Sequence, residues 1–304
     1  MLALRTAVRK VERLAYSPDG TRLAVGGPTG TEVIEVADGE TVALLDWAGH
    51  CTAAFARNER RLFLAKANRP VVVVDLANLI DPPENYGVVY GHFYNIQLLP
   101  ARDGWIANGG ERCEVVRGTY GFPPPHKSCW SSLDHHSTLR TRAFHAFGDP
   151  LRIVSLRTDV AEQNGIMNYL YLLDGDTGEL IRRHRCGYSS VEHFTGSPCG
   201  GYLVGVLQST LVVWDTAALH LPPQRWATDS RKQFTGVAFH PHGRYLLTAS
   251  NDKSVKLWDL TCGQVLRSYD WAAGRMRSLA VAPDGLTAAA GSDENLVVLF
   301  DLDL

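Results

Sequence analysis

The sequence predicts an all-β fold: a seven-bladed β-propeller of four-stranded antiparallel blades, with an N-terminal strand completing the last blade and closing the ring. Three observations predict it. A large apolar residue followed by an acidic or polar one recurs as Ile34, Val74, Val116, Leu173, Trp214, Trp258 and Phe300, at gaps of 40, 42, 57, 41, 44 and 42 residues. That is the period of a four-stranded blade. The recurring residues end short stretches dense in β-branched and apolar side chains, such as Val71–Val74 and Leu211–Trp214, as expected of strands covered on both faces. No amphipathic segment of helical length lies between them, so a parallel sheet with helical crossovers has no source of helices.

The first copy, Leu14–Leu45, carries every part of a blade: a strand, a Pro18-Asp19-Gly20 turn, a second strand, a hairpin at Gly26–Gly30, a third strand ending at Ile34, and a fourth. Pro presets φ in such a turn and Gly supplies a positive φ. The second copy starts near Phe55 and the fourth near Phe144; their turns lack the Pro-Asp-Gly form. The third has Pro100, Asp103 and Gly104. The fifth, sixth and seventh repeat the turn as Pro198-Cys199-Gly200, Pro241-His242-Gly243 and Pro283-Asp284-Gly285. The seventh copy stops after its third strand, while Leu2–Thr6 is a spare strand at the other end of the chain. Pairing the two closes the ring and covers both edges. On this reading residues 1–304 form a single propeller. The gap of 57 places an insertion of about fifteen residues, relative to the usual blade period, in Arg117–Thr141.

Composition narrows the function classes. The formal net charge is −2, from 30 basic and 32 acidic residues, with no long run of one sign, so no dedicated nucleic-acid surface is expected. No stretch reaches the ~18 consecutive apolar residues that span a bilayer. The six cysteines show no CxxC pair, which suits free thiols in a reducing, cytoplasmic setting.

Trp214-Asp215 and Trp258-Asp259, with Gly49-His50 and Gly91-His92, resemble the signature pairs of the WD-repeat β-propeller family. The resemblance covers nearly the whole chain and implies a rigid, non-catalytic scaffold that presents one face, its rim and its channel to a protein or peptide. It also implies a hydrogen-bonded set in a blade. Ser250, Asp252 and Trp258 match three of its members in the sixth copy, where the matching His is absent.

Loops entering each blade, and turns between second and third strands, share one face. Trp47, His50, Lys66, Arg69, His92, Arg112, Arg157, Tyr188, Trp271 and Arg275 are placed there as candidate partner contacts, with Lys253, Asp293 and Glu294 beside them. Aromatic and Arg side chains are frequent binding anchors. Trp47 and Trp271, each in an Asp-Trp-Ala triplet, are read first as wedge-shaped fillers between blades and only second as contacts, since Trp is more often packed than presented. The rival reading is a small-ligand site at the channel mouth built from His92, Arg112 and Arg157. No GxSxG, HExxH or phosphate loop is present, and Asp174, Asp176 and Asp215 lie in turns that repeat between blades, a structural pattern. His126, Cys129, His135 and His136 match no zinc spacing. No metal and no cofactor are expected. The partner is another protein or peptide rather than nucleic acid or membrane, and the chain is a monomer or part of a hetero-complex.

Overall fold

The computed structural model describes residues 1–46, 51–56, 60–66, 71–79, 84–86, 95–99, 104–109, 114–119, 130–131, 139–147, 150–161, 165–186, 191 and 194–304. Among them, 28 strands form seven four-stranded antiparallel sheets. Within a blade the strands neighbour one another in chain order, from inner through second and third to outer. Blade one is Arg13–Tyr16, Arg22–Gly27, Gly30–Glu35 and Thr41–Leu45; blade six is Phe234–Phe239, Tyr245–Ser250, Ser254–Asp259 and Gln264–Asp270. Blade seven takes Met276–Val281, Thr287–Ser292 and Leu296–Asp301 from the end of the chain and Leu2–Arg5 from its start, with Leu2 opposite Leu299 and Arg5 opposite Leu296. The inner strands touch in succession from blade to blade, and that of blade seven touches that of blade one.

Each of the larger hydrophobic clusters is shared between two sheets. Leu247, Val255 and Leu257 of blade six pack on Met276, Ala288 and Phe300 of blade seven. Leu23, Val25 and Ile34 of blade one meet Ala289, Val297 and Leu299 of blade seven. Trp214 fills the seam between blades four and five, and Trp258 the seam between five and six, each 1% exposed. Trp258 lies edge-on to Phe234 of its own blade and stacks on Trp226 of blade five at 6.3 Å. Alternation of buried and exposed positions is therefore lost in second and third strands, which are buried along most of their length.

The predicted Pro-Gly turns link the blades to one another. In Ser17–Gly20, Ser197–Gly200, His240–Gly243 and Ala282–Gly285 the glycine N–H donates to the carbonyl three residues back at 2.8–2.9 Å, with φ between +73° and +77°. Each glycine lies against the preceding blade. A Cβ at Gly200 would come within 2.3 Å of Phe147, at Gly243 within 2.5 Å of Cys199 Sγ, and at Gly285 within 2.4 Å of His240 Nε2. Gly20 carries the series across the closure to Pro283 at 3.5 Å. His240 is buried; its Nε2 donates to the Gly285 carbonyl at 3.0 Å and its Nδ1 accepts the His242 N–H at 3.2 Å. Both ring nitrogens are used by a neutral imidazole. Burial lowers its pKa, partly opposed by the bond to Gly285.

The insertion is divided differently from expectation. In blade four, Arg152–Ala161 and Gly165–Asp174 pair along ten positions each, and the hairpin Arg152–Asp174 is eight residues longer than its counterpart Arg61–Asp75 in blade two. About half of the extra length thus extends this hairpin beyond the first face, rather than all of it lying in Arg117–Thr141. Most of Arg117–Thr141, including His126, Cys129, His135 and His136, lies outside the described residues.

Gly285→Ala is expected to destabilise by ~2 kcal/mol or more, because a left-handed backbone disfavours any Cβ by roughly 1–2 kcal/mol and His240 must also move. Gly201→Ala, whose Cβ meets only Cys199 Sγ at 3.6 Å, is expected to stay within about 1 kcal/mol of the parent. Urea midpoints of the two variants check the contrast.

Candidate interaction face

The two faces of the ring are built from different chemistry. On the second face, which carries the turns joining inner to second and third to outer strands, cations are neutralised within their own blades. Arg22 pairs with Glu35 at 2.9 Å, Arg60 with Asp75 at 2.7 Å, Arg152 with Asp174 at 2.8 Å, and Arg244 with Asp259 at 2.7 Å. In each pair the Arg stands at or just before the start of the second strand and the carboxylate ends the third. Three of these carboxylates also cap the following turn: Asp75 accepts the Ala77 N–H, Asp174 the N–H groups of Asp176 and Thr177, and Asp259 the N–H and hydroxyl of Thr261. Asp215 does the same for Ala217. These acids hold turns together, as their repetition in the sequence suggests. Sequence reasoning missed their arginine partners, although an Arg recurs at or one residue before the start of the second strand in four blades.

The signature residues of blade six make a different set of bonds from the family pattern. Trp258 Nε1–H donates to Thr248 Oγ1 at 2.9 Å, so Thr248 takes the place expected for Ser250. Ser250 Oγ instead accepts the Asp252 N–H. Asp252 accepts from the Ser254 hydroxyl at 2.6 Å and from Lys256 Nζ at 3.1 Å. Burial would raise the pKa of Asp252, but bonds from Ser254, Lys256 and Ser230 outweigh it and hold the carboxyl well below the usual range.

Of the candidate contacts, Trp47, His50, Arg69, His92, Arg112 and Tyr188 lie outside the described residues, and Lys66 is described only as the end of the strand Arg61–Lys66. Arg157 is not presented at the surface. It is 3% exposed, donates from Nε to Ser155 Oγ at 3.0 Å, and lies 4.5 Å over the ring of Tyr171. The long second strand of blade four places it in mid-strand instead of at a turn. Trp271 is half-buried against Phe300 at 4.6 Å and Tyr269 at 5.6 Å, which is the filler role. Arg275 is exposed.

The first face has one property no sequence pattern indicated. Five of the six non-glycine residues with positive φ among the described residues lie in its loops: Lys10, Gln208, Lys253, Ala272 and Asn295. On the second face seven left-handed positions are filled by glycine, at residues 20, 39, 178, 200, 243, 263 and 285, and one by Asp303 beyond the third strand of blade seven; the first face also has Gly30 and Gly274. The rim carries two clefts on either side of Pro222–Pro223, of about 360 and 210 Å³, lined in part by His184, Arg185 and His220 on one side and by Tyr202, Leu221 and Trp226 on the other. Neither is at the channel mouth. Among the described residues no three His, Cys, Asp or Glu side chains converge to hold a metal.

Comparison with known proteins places this geometry. The family model described as WD domain, G-beta repeat matches residues 228–259. Pre-mRNA-processing factor 19 homolog 2 of Arabidopsis thaliana is 21% identical over 93% of this chain and 52% of its own length. COMPASS component SWD1 of Saccharomyces cerevisiae is 40% identical over 21% of this chain and 16% of its own. The chain thus spans about half or less of these relatives. Among solved structures, the Cps50 (Swd1) β-propeller domain of Myceliophteria thermophila superposes with a TM-score of 0.78 at 15% identity, covering 99% of both chains. Hydrazine synthase of Kuenenia stuttgartiensis gives 0.80 at 14%, covering 99% of this chain and 97% of that one. At such identities the likeness concerns the fold.

The Arg244–Asp259 pair sets an acid limit. The Arg244 guanidinium, against an opposing contribution from burial, holds the Asp259 carboxyl at about 2, below its ordinary value of about 3.9. A carboxyl depressed on folding contributes stability that is present above its unfolded value and is lost as pH falls through the folded one. Arg244→Gln is therefore expected to unfold at lower urea than the parent at pH 5, and the difference should narrow as pH approaches 2. Urea midpoints along that pH series decide it.

Proposed function

We propose that this β-propeller, whose residues 228–259 match the WD-repeat model, is a non-catalytic WD-repeat scaffold that binds another protein or peptide on its first face. The observation that carries this reading is the contrast in left-handed residues. Glycine adopts a positive φ freely and Asn tolerates it, whereas Lys or Gln there costs roughly 1 kcal/mol. The second face uses glycine at seven such positions and a side chain only at Asp303; the first face has Gly30 and Gly274 but keeps side chains at Lys10, Gln208, Lys253, Ala272 and Asn295. Strain of this kind gathers where a surface is used. A relative named as a component of an assembly, COMPASS, supports a protein partner.

On this proposal residues 1–304 act as one propeller in the cytoplasm, as a monomer or within a hetero-complex. The rival, a ligand site at the channel mouth, loses Arg157 to the interior.

Affinity capture from the native lysate, followed by hydrogen–deuterium exchange with the captured partner, tests the reading. Protection is expected in residues 6–12, 228–233, 251–253, 271–275 and 293–295. Protection confined to the turns at 17–20, 197–200, 240–243 and 282–285, or repeated capture of nothing, would overturn it.

A further inference from the structure

We propose that the partner docks an acidic, carboxylate-rich segment on a fixed cationic arc formed by blades six, seven and one of the first face. The proposal rests on the first-face reading and names the chemistry of its partner. Arg9, Lys10, Arg231, Lys232, Lys253 and Arg275 are all exposed there. Among the described residues none of the six pairs with a carboxylate, while the four bridged arginines of the second face each have one. Unpaired cations on one face and neutralised ones on the other leave a local positive potential despite a formal net charge of −2.

Hydrogen bonds fix the loops that carry these cations. The Arg9–Lys10 loop crosses the closure of the ring. Its Ala7 N–H donates to buried Glu32 at 2.8 Å, Arg9 N–H to Thr29 Oγ1 at 3.0 Å, and Lys10 N–H to Asn295 Oδ1 at 3.0 Å. The Asn295 turn continues into Asp293, which exchanges backbone and side-chain bonds with the Arg275 segment. Thr235 donates to the Met276 carbonyl, joining blade seven to blade six. Asn251 N–H donates to the Gln233 carbonyl at 3.0 Å, tying the Lys253 turn to the Arg231–Lys232 loop. The backbone is thus set before binding, so an incoming segment orders only side chains, which lowers the entropy lost on association.

The occupant is protein rather than nucleic acid because the arc is interrupted. Exposed Asp229, Asp270 and Glu294 stand among the six cations. A continuous phosphate backbone would meet them, whereas discrete Glu or Asp side chains can be spaced to avoid them.

Fluorescence anisotropy with a short labelled peptide of alternating Glu and Ser, added to the full chain, tests the arc. Binding that weakens with salt is expected. The Lys10→Glu/Lys253→Glu/Arg275→Glu variant should lose at least about tenfold in affinity, while Arg182→Glu, on the outer strand of blade four, should not. A matching Gln triple, expected to fall between, serves if the reversal variant unfolds. No binding to the parent, equal binding to the triple variants, or tighter binding of a single-stranded oligonucleotide that displaces the peptide would overturn the proposal. If the peptide fails while a captured partner still protects the first face, the acidic chemistry alone is wrong; if both fail, the face itself is.

Discussion

In blades one, five, six and seven the second and third strands are buried on both sides, so each of these sheets is stable only between two neighbours, and the seams are where the hydrophobic free energy lies. Trp214 and Trp258 show the scale: burying a side chain of that size contributes several kcal/mol that an isolated blade would forgo. Covering every sheet twice requires a cycle, and the cycle needs a seal. The strand Leu2–Arg5 provides it by pairing with Leu296–Asp301. The bond from Ser278 Oγ to the Val11 carbonyl at 2.8 Å and the contact of Gly20 with Pro283 follow from that one demand.

Once the seams are filled, only the two faces are left to differ, and they have diverged in backbone as well as charge. The second face is a folding surface. Its turns use proline and glycine where geometry asks for them, its arginines are bridged, and its glycines lie on the blade before them. The first face departs from the residues its turns would prefer. Because the seams already fix the frame, a few strained residues there cost little of the whole stability, and their side chains stay where solvent can reach them.

Much of the architecture was legible because a repeat is read many times over. The Pro-x-Gly turns, the third-strand tryptophans and the spare strand at Leu2 each required one physical step from residue to role, and the structure agrees. Position within blade four was not legible. Arg152–Ala161 and Gly165–Asp174 read as ordinary apolar strands, so nothing in the residues announced that the hairpin was longer and that Arg157 would fall inside it. The Thr248–Trp258 bond was hidden because Thr248 and Ser250 stand two apart on the same face of one strand, and only the packing of the indole selects between them. The left-handed Lys10 and Lys253 were invisible for the opposite reason: turn propensities ask for glycine or asparagine at such positions, so a lysine there reads as an ordinary loop residue.

The pairing of Leu2 with Leu299 also has a consequence in time. These residues are separated by almost the whole chain, and contacts of such long separation are made late, since their loop entropy must be overcome before any reward. As the polypeptide emerges during synthesis, blades one to six can form in order, but the first strand has no partner until the last one appears. Through that interval Leu2–Arg5 and the facing side of blade one stay uncovered, a strand edge open to pairing with other chains. The seal that makes the finished ring rigid thus makes the nascent chain most vulnerable at its first strand, Leu2–Arg5.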